Sequence, residues 1–415
     1  MRLSFQNLGV RIPFLIVAAS VVGYPTISML TNLIGADGSI LRIVFRASVA
    51  LLGLYFIAVV FVKLPAVTVR IGALAFLFVY TLRLFIDLTR DLPNADFAWT
   101  RFTLTVLIPC LAIAVTASLP KTEATFRAYI AACGIVVIMS YYLLGNYENP
   151  FHGRAGFTNL NPIALGHAAV TTILCFSTYL FSTKSWTVKY ASIVMILLAF
   201  PVVIASGSRG PLIALLVAGT WLYLHNWRMI LLGLSFLSVA AVFWDTSSTL
   251  ASRISRLTMG EDASALGRAG LLRQAVEDFL SSPIYGAQFS VFGDRYPHNL
   301  FVEAAMATGV IGLGLLIWFM VLYVKSLRHI GRDFPLLSAL SIQGLVFTQL
   351  SGAIYINTVF FPAALLIIML SARSRAESRK AALHQVAPAR ACASDAITAA
   401  PRPARAHTHA PRLSE

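Results

Sequence analysis

About twelve apolar runs follow one another along this chain, and that succession limits the fold more than any single motif does. They lie near residues 12–34, 40–62, 66–86, 102–119, 125–145, 162–183, 188–205, 211–225, 228–245, 299–324, 334–353 and 357–372. Inside hydrocarbon every backbone N–H and C=O must be satisfied by the spanning element itself, which leaves helices and closed barrels. Runs near 20 residues are the length a helix needs. The sequence therefore predicts an all-α polytopic membrane protein with about 12 transmembrane helices. Only 12% of the residues are charged and mean hydropathy is +0.78, against about 25% charged in soluble domains. The 415 residues thus read as one transmembrane domain over 1–372 and a tail over 373–415. That tail is rich in Ala, Pro, Arg and His without apolar periodicity, and is expected to be disordered and cytoplasmic.

The net charge of +15 is a topology signal rather than a nucleic-acid footprint. Arg2, Arg11, Lys63, Lys121, Arg127, Lys184, Lys189, Arg228, Lys325, Arg328 and Arg332 fall in connections on one side, with Arg373, Arg375, Arg379 and Lys380 after the last span. That side is expected to be cytoplasmic, with both termini inside. The first apolar run is long enough to span and does not read as a cleavable signal. Cys110, Cys133, Cys175 and Cys392 are scattered and outline neither a disulfide framework nor a metal site.

The other side carries the polar exception, Asp245 to Glu303. Connections this long are uncommon in compact domains and usually functional or disordered. Here Leu272, Val276, Phe279 and Leu280 recur at helical spacing, giving an amphipathic helix that Pro283 ends. The loop is expected to cover 246–298 and to close at Pro297-His298-Asn299.

Three stretches on this side carry arginine against the positive-inside trend: Asn146–Pro162, Ser206–Pro211 and the long loop. Each abuts a helix start. Asn161-Pro162 reads as an N-cap and a first-position proline, Pro211 stands in a similar place, and Asn299 can cap the following span. Helix N-termini beside arginines form an anion site, and a diphosphate is the obvious membrane-borne anion. Gly207 and Gly210 around Arg209 point to a tight turn. Arg268 alone would read as a solvated helix face, as do Arg253, Arg256, Arg273 and Arg295, with Arg154 between the two cases. Arg42 and Arg46 are read as snorkelling or as touching lipid phosphate. Arg83 and Asp87, four apart, are expected to pair.

His298 ends the long loop beside a helix N-terminus, which disfavours the imidazolium and leaves the neutral base. His152 and His167 are weaker candidates, and His407 and His409 make a poor metal site. No carboxylate cluster with metal spacing faces this side, although Asp294 and Glu303 flank His298, and no P-loop is present. No metal and no cofactor are expected.

In order, Gly153-Arg154, Asn161-Pro162, Ser208-Arg209-Gly210, Gly267-Arg268, Ser282-Pro283-Ile284-Tyr285-Gly286, His298-Asn299 and the Gly309, Gly312, Gly314 run resemble the O-antigen ligase and polymerase superfamily of bacterial inner membranes. The resemblance covers roughly 150–320. It implies an inverting, metal-independent glycosyltransferase of the GT-C type, with an undecaprenyl-diphosphate-linked glycan as donor. It implies that Arg209 and Arg268 hold the diphosphate and that His298 is the base, and the arginine-stretch reading adds Arg154 as a further diphosphate contact. It also implies a multi-pass inner-membrane protein with a periplasmic active site. Chain length favours an O-antigen ligase acting on a lipid A-core acceptor. A polymerase of the same superfamily would use the same chemistry on a second lipid-linked glycan. A transporter or flippase would place its charges near the bilayer midplane.

Overall fold

The computed structural model describes residues 5–36, 38–60, 67–115, 123–145, 154–223, 263–292 and 295–378. These residues are helical with no strand, and eight helices are long and apolar enough to cross a membrane. The chain divides into a compact unit Met1–Ser371, which carries the site, and a second unit Ala372–Glu415.

The first span is α1 (Phe5–Ala18) running into α2 (Tyr24–Leu33) through a π-helical turn at Ala19–Gly23. Next come α3 (Gly38–Val60) and α4 (Val67–Thr89). Helices α5 (Ala95–Phe102) and α6 (Ile108–Val115) are again joined by a π-helical turn, Thr103–Leu107. Then follow α7 (Ala124–Leu144), α8 (Pro162–Ser182), α9 (Trp186–Ala205), α10 (Arg209–Tyr223), α11 (Ala263–Ser281), α12 (Leu300–Ile330) and α13 (Pro335–Leu350). A last helix, α14, starts at Phe360, where Asn357 caps it by accepting from the Phe360 N–H at 2.9 Å.

The expected count of about twelve spans meets eight bilayer-length helices among the described residues. Helices α10 and α13, of 15 and 16 residues, are the expected spans that come out short. The run at 228–245 and the first part of the long loop lie outside the described residues. Residues 373–378, expected to begin an unstructured tail, are helical, and the rest of the tail lies outside the described residues. The fourth span starts at Ala95 rather than near 102, because Asp96 and Arg101 are accommodated within its first helical segment.

Packing draws on shape more than on polarity. Phe76, Phe319, Phe360 and Phe361 meet in the middle of the bundle, with Phe319 and Phe361 ring centroids 5.7 Å apart. Gly344 of α13 lies so close to α14 that a Cβ there would stand 2.9 Å from the Phe360 backbone. Such small-residue contacts are how helices approach where lipid removes the hydrophobic drive between them.

Helix α12 is broken. Gly309 has φ 64° and ψ −163°, a conformation open essentially only to glycine. Residues 310–330 alone reach about 31 Å at 1.5 Å per residue, enough for the hydrocarbon core. Residues 300–308 are a separate short helix, so the expected span at 299–324 is displaced towards 310–330. The loop after α11 is keyed into the break. Val310 N–H donates to Pro283 O and Ala287 N–H to Met306 O, both at 2.8 Å. A Cβ on Gly309 would run into the Ile284 backbone, and one on Gly286, at φ 78°, into the Ala307–Thr308 backbone. Gly309→Ala is therefore expected to destabilise the protein by more than the about 1–3 kcal/mol of backbone strain alone. Gly314→Ala, in open space on the same helix, is the control and should be neutral or gain up to about 1 kcal/mol. Thermal unfolding of the two purified variants checks this; equal midpoints would remove the key-and-slot account.

Candidate active site

Helix starts converge at one end of the bundle. Asn161 caps α8, its side chain accepting from the Ala164 N–H at 2.8 Å, and Pro162 is the first helical residue. Asn299 caps α12, accepting from the Phe301 and Val302 N–H groups at 3.1 Å each. Helix α10 begins at Arg209 itself, so Pro211 lies within the first turn rather than at its opening. Gly166 of α8 packs on Pro211 and Ser206 with no room for a side chain, and Gly210 packs closely on the Ser351 hydroxyl. Gly207, at φ 56°, makes the turn that the sequence required.

Arg154 reaches across this turn. Its Nε donates to the Ser206 carbonyl at 3.2 Å and its Nη2 to the Ser208 hydroxyl, while the Ala155 N–H donates to the Ala205 carbonyl at 2.7 Å. The Arg154 segment and the Arg209 turn thus form one wall. Gly153 and His152 lie outside the described residues.

His298 stands directly before the Asn299 cap with φ 54°, an uncommon backbone conformation for a side chain of this size. Its ring lies edge-on to Tyr296 with centroids 4.5 Å apart. Burial holds its pKa below the ordinary histidine value, the nearby Arg268 charge lowers it further, and a backbone hydrogen bond to Ser351 pulls the other way. Nδ1 is buried with no hydrogen-bond partner. The structure thus brings Arg268 within electrostatic reach of His298, and the Ser351 turn links His298 to the start of α10. Tyr296 is raised above the usual phenol range, chiefly by burial and then by Glu303, against the charges of Arg101 and Arg268.

The remaining charges sort differently. Arg83 and Asp87 do pair, at 2.6 Å, but they also clamp the loop after α11. Arg83 donates to the Gly286 and Ala287 carbonyls, and Asp87 accepts from the Phe289 N–H. Arg273 is exposed and pairs with Glu277, and Arg295 is exposed, as a solvated face requires. Arg42 donates to the Gly38 and Asn159 carbonyls. Glu303 does not reach His298. It is fully buried, and its Oε1 accepts from the Ile354 N–H at 2.9 Å and from the Tyr80 hydroxyl at 3.1 Å. That fixes the turn carrying Tyr355, whose ring meets Tyr296 edge-on at 6.1 Å. Asp294, Arg253 and Arg256 lie outside the described residues. Among the described residues no three His, Cys, Asp or Glu side chains gather as metal ligands would.

Helix α11 corrects the expected apolar stripe. Leu272, Val276 and Leu280 are exposed and Phe279 is half-buried. The helix buries Ala275 and Leu271 instead, against Val291, Val302 and Met306. The small side chain of Ala275 allows close approach to α12.

A cavity of about 450 Å³ opens beside His298, lined also by Tyr296, Tyr355, Arg46, Arg101 and His167. Arg101 and Tyr296 are the residues that sequence reasoning missed. Arg101 had a readable signal, a basic residue near the start of an apolar span; Tyr296 had only its position two residues before His298.

No curated protein and no solved structure matches the chain. Residues 193–319, which carry Arg209, Arg268 and His298, match the family model described as O-antigen ligase, and that match supports the O-antigen ligase superfamily for this chain.

Proposed function

We propose that this multi-pass membrane protein is an O-antigen ligase. In this reading it transfers a glycan from undecaprenyl diphosphate to a lipid A-core acceptor at the periplasmic face of the bacterial inner membrane. The observation that carries the reading is His298: strained, with its pKa lowered by burial and Arg268, its Nδ1 without a hydrogen-bond partner, and its side chain among the residues that line the cavity. A neutral imidazole is able to take the proton of an acceptor hydroxyl. The hydroxyl oxygen then bonds to the anomeric carbon as the bond to the diphosphate breaks on the opposite face, giving inversion. Arg209 and Arg268, with Arg154 in support, hold the diphosphate and stabilise the charge that grows on it. The scaffold is of the GT-C kind in this reading, with the transmembrane domain over 1–372 and the loop over 246–298 on the periplasmic side.

Reconstituted protein given lipid-linked glycan and lipid A-core should form the joined product without nucleotide and after EDTA treatment. Loss of activity in EDTA, restored by Mg²⁺ or Mn²⁺, would require a different site. Product formed only between two lipid-linked glycans would make the protein the polymerase instead.

A further inference from the structure

Arg46 of α3 and Arg101 of α5 line the same cavity as His298, and among the described residues the lining contains no Asp or Glu. Each guanidinium leans on an aromatic ring, Arg46 on Tyr24 at 5.4 Å and Arg101 on Phe97 at 5.5 Å. Two other arginines of the spans sit beside carboxylates: buried Arg83 has Asp87 and half-buried Arg127 has Glu123. Among the described residues neither Arg46 nor Arg101 has one, and the Arg101 Nε is buried with no hydrogen-bond partner. Both lie within bilayer-length apolar helices. Charges inside membrane segments are costly and mark substrate sites when they face a cavity. Two such cations lining one cavity of about 450 Å³, a usual size for a ligand pocket, call for an anion brought by the ligand.

Neither Arg209 nor Arg268, which hold the diphosphate in the function proposed above, lines this cavity. Tyr296 lines the cavity and is within electrostatic reach of both Arg101 and Arg268. With the diphosphate assigned to Arg209 and Arg268, this cavity is the place left for the acceptor. We infer that Arg46 and Arg101 bind a phosphate or carboxylate substituent of the acceptor glycolipid, so that the cavity selects negatively charged acceptors. This rests on the transfer reading only for the word acceptor; the anion site stands on the arginines themselves.

The test uses full-length protein in nanodiscs. Binding is measured for lipid A-core bearing its phosphates, for the same lipid after chemical dephosphorylation, and for undecaprenyl-diphosphate-linked glycan. The parent protein should bind the phosphorylated acceptor at least about tenfold more tightly than the dephosphorylated one, since one lost charge-assisted contact is worth about that factor. Arg46→Gln and Arg101→Gln should lose that preference and leave donor affinity within about twofold, while Arg101→Lys should keep part of it. No preference in the parent overturns the inference. So does a Gln variant that weakens the donor and keeps the acceptor preference, because the pair then serves the diphosphate. If the parent shows the preference and the Gln variants lose it, but no transfer occurs, the transfer reading fails and the anion site survives. Should a Gln variant not fold, the Lys variants carry the same ratio measurement, and an unchanged preference in both would count against the site.

Discussion

His298→Ala is expected to lower glycan transfer by about 10²–10⁴-fold, the usual cost of losing a general base, while the donor still binds nearly as well. The division follows from position. The ring sits beside the cavity with Nδ1 unpartnered, and a base acts on the acceptor proton rather than on the diphosphate. The pH profile gives a second readout. Because burial and Arg268 lower the pKa, the base form persists to lower pH than for a free histidine near 6.5. Transfer should hold through pH 6.5 and decline only as pH falls through the depressed value. Arg268→Gln removes one of the lowering causes, so its acid limb should move up in pH. Single-turnover transfer and donor binding on the same purified protein separate the roles. If the alanine variant loses donor binding and transfers normally at saturating donor, His298 is a phosphate ligand.

Arg209→Ala and Arg268→Ala carry the second large effect. Each should weaken donor binding and slow transfer, with a loss of about 10²–10³ in rate, as for removal of one oxyanion-stabilising donor. The two arginines arrive from different elements, the first residue of α10 and the loop helix α11. Both act on one leaving group, so the double variant should fall short of the product of the single losses. Lysine at either position should rescue only partly, because an ammonium lacks the guanidinium fork. Wild-type donor affinity in both alanine variants would move the diphosphate elsewhere.

The bilayer made much of this fold legible. Hydrocarbon-length runs and caps such as Asn161 and Asn299 are local signals, and they landed on the helix starts. The break at Gly309 was not legible, because it depends on the Ile284 backbone from a distant part of the chain. The stripe on α11 misled because the contact with α12 is made by the small Ala275 and not by the larger apolar side chains. Arg209, Arg268 and His298 were singled out as candidates by sequence context. Arg101 carried a signal that went unused and Tyr296 only its position, since the meaning of both comes from the walls they share.

The joint between α11 and α12 can also be read as a machinist reads tolerances. Every freely turning part between two working surfaces adds play, and here there are few. Arg268 belongs to a helix followed directly by a loop that is pinned to both sides of the Gly309 break by main-chain hydrogen bonds at Pro283 and Ala287. His298 lies next to the cap of the short helix on one side of that same break. The spacing of the two groups is therefore set by backbone against backbone. Drift in the surrounding side chains leaves that spacing alone, whereas one methyl group at either glycine throws both out of register together.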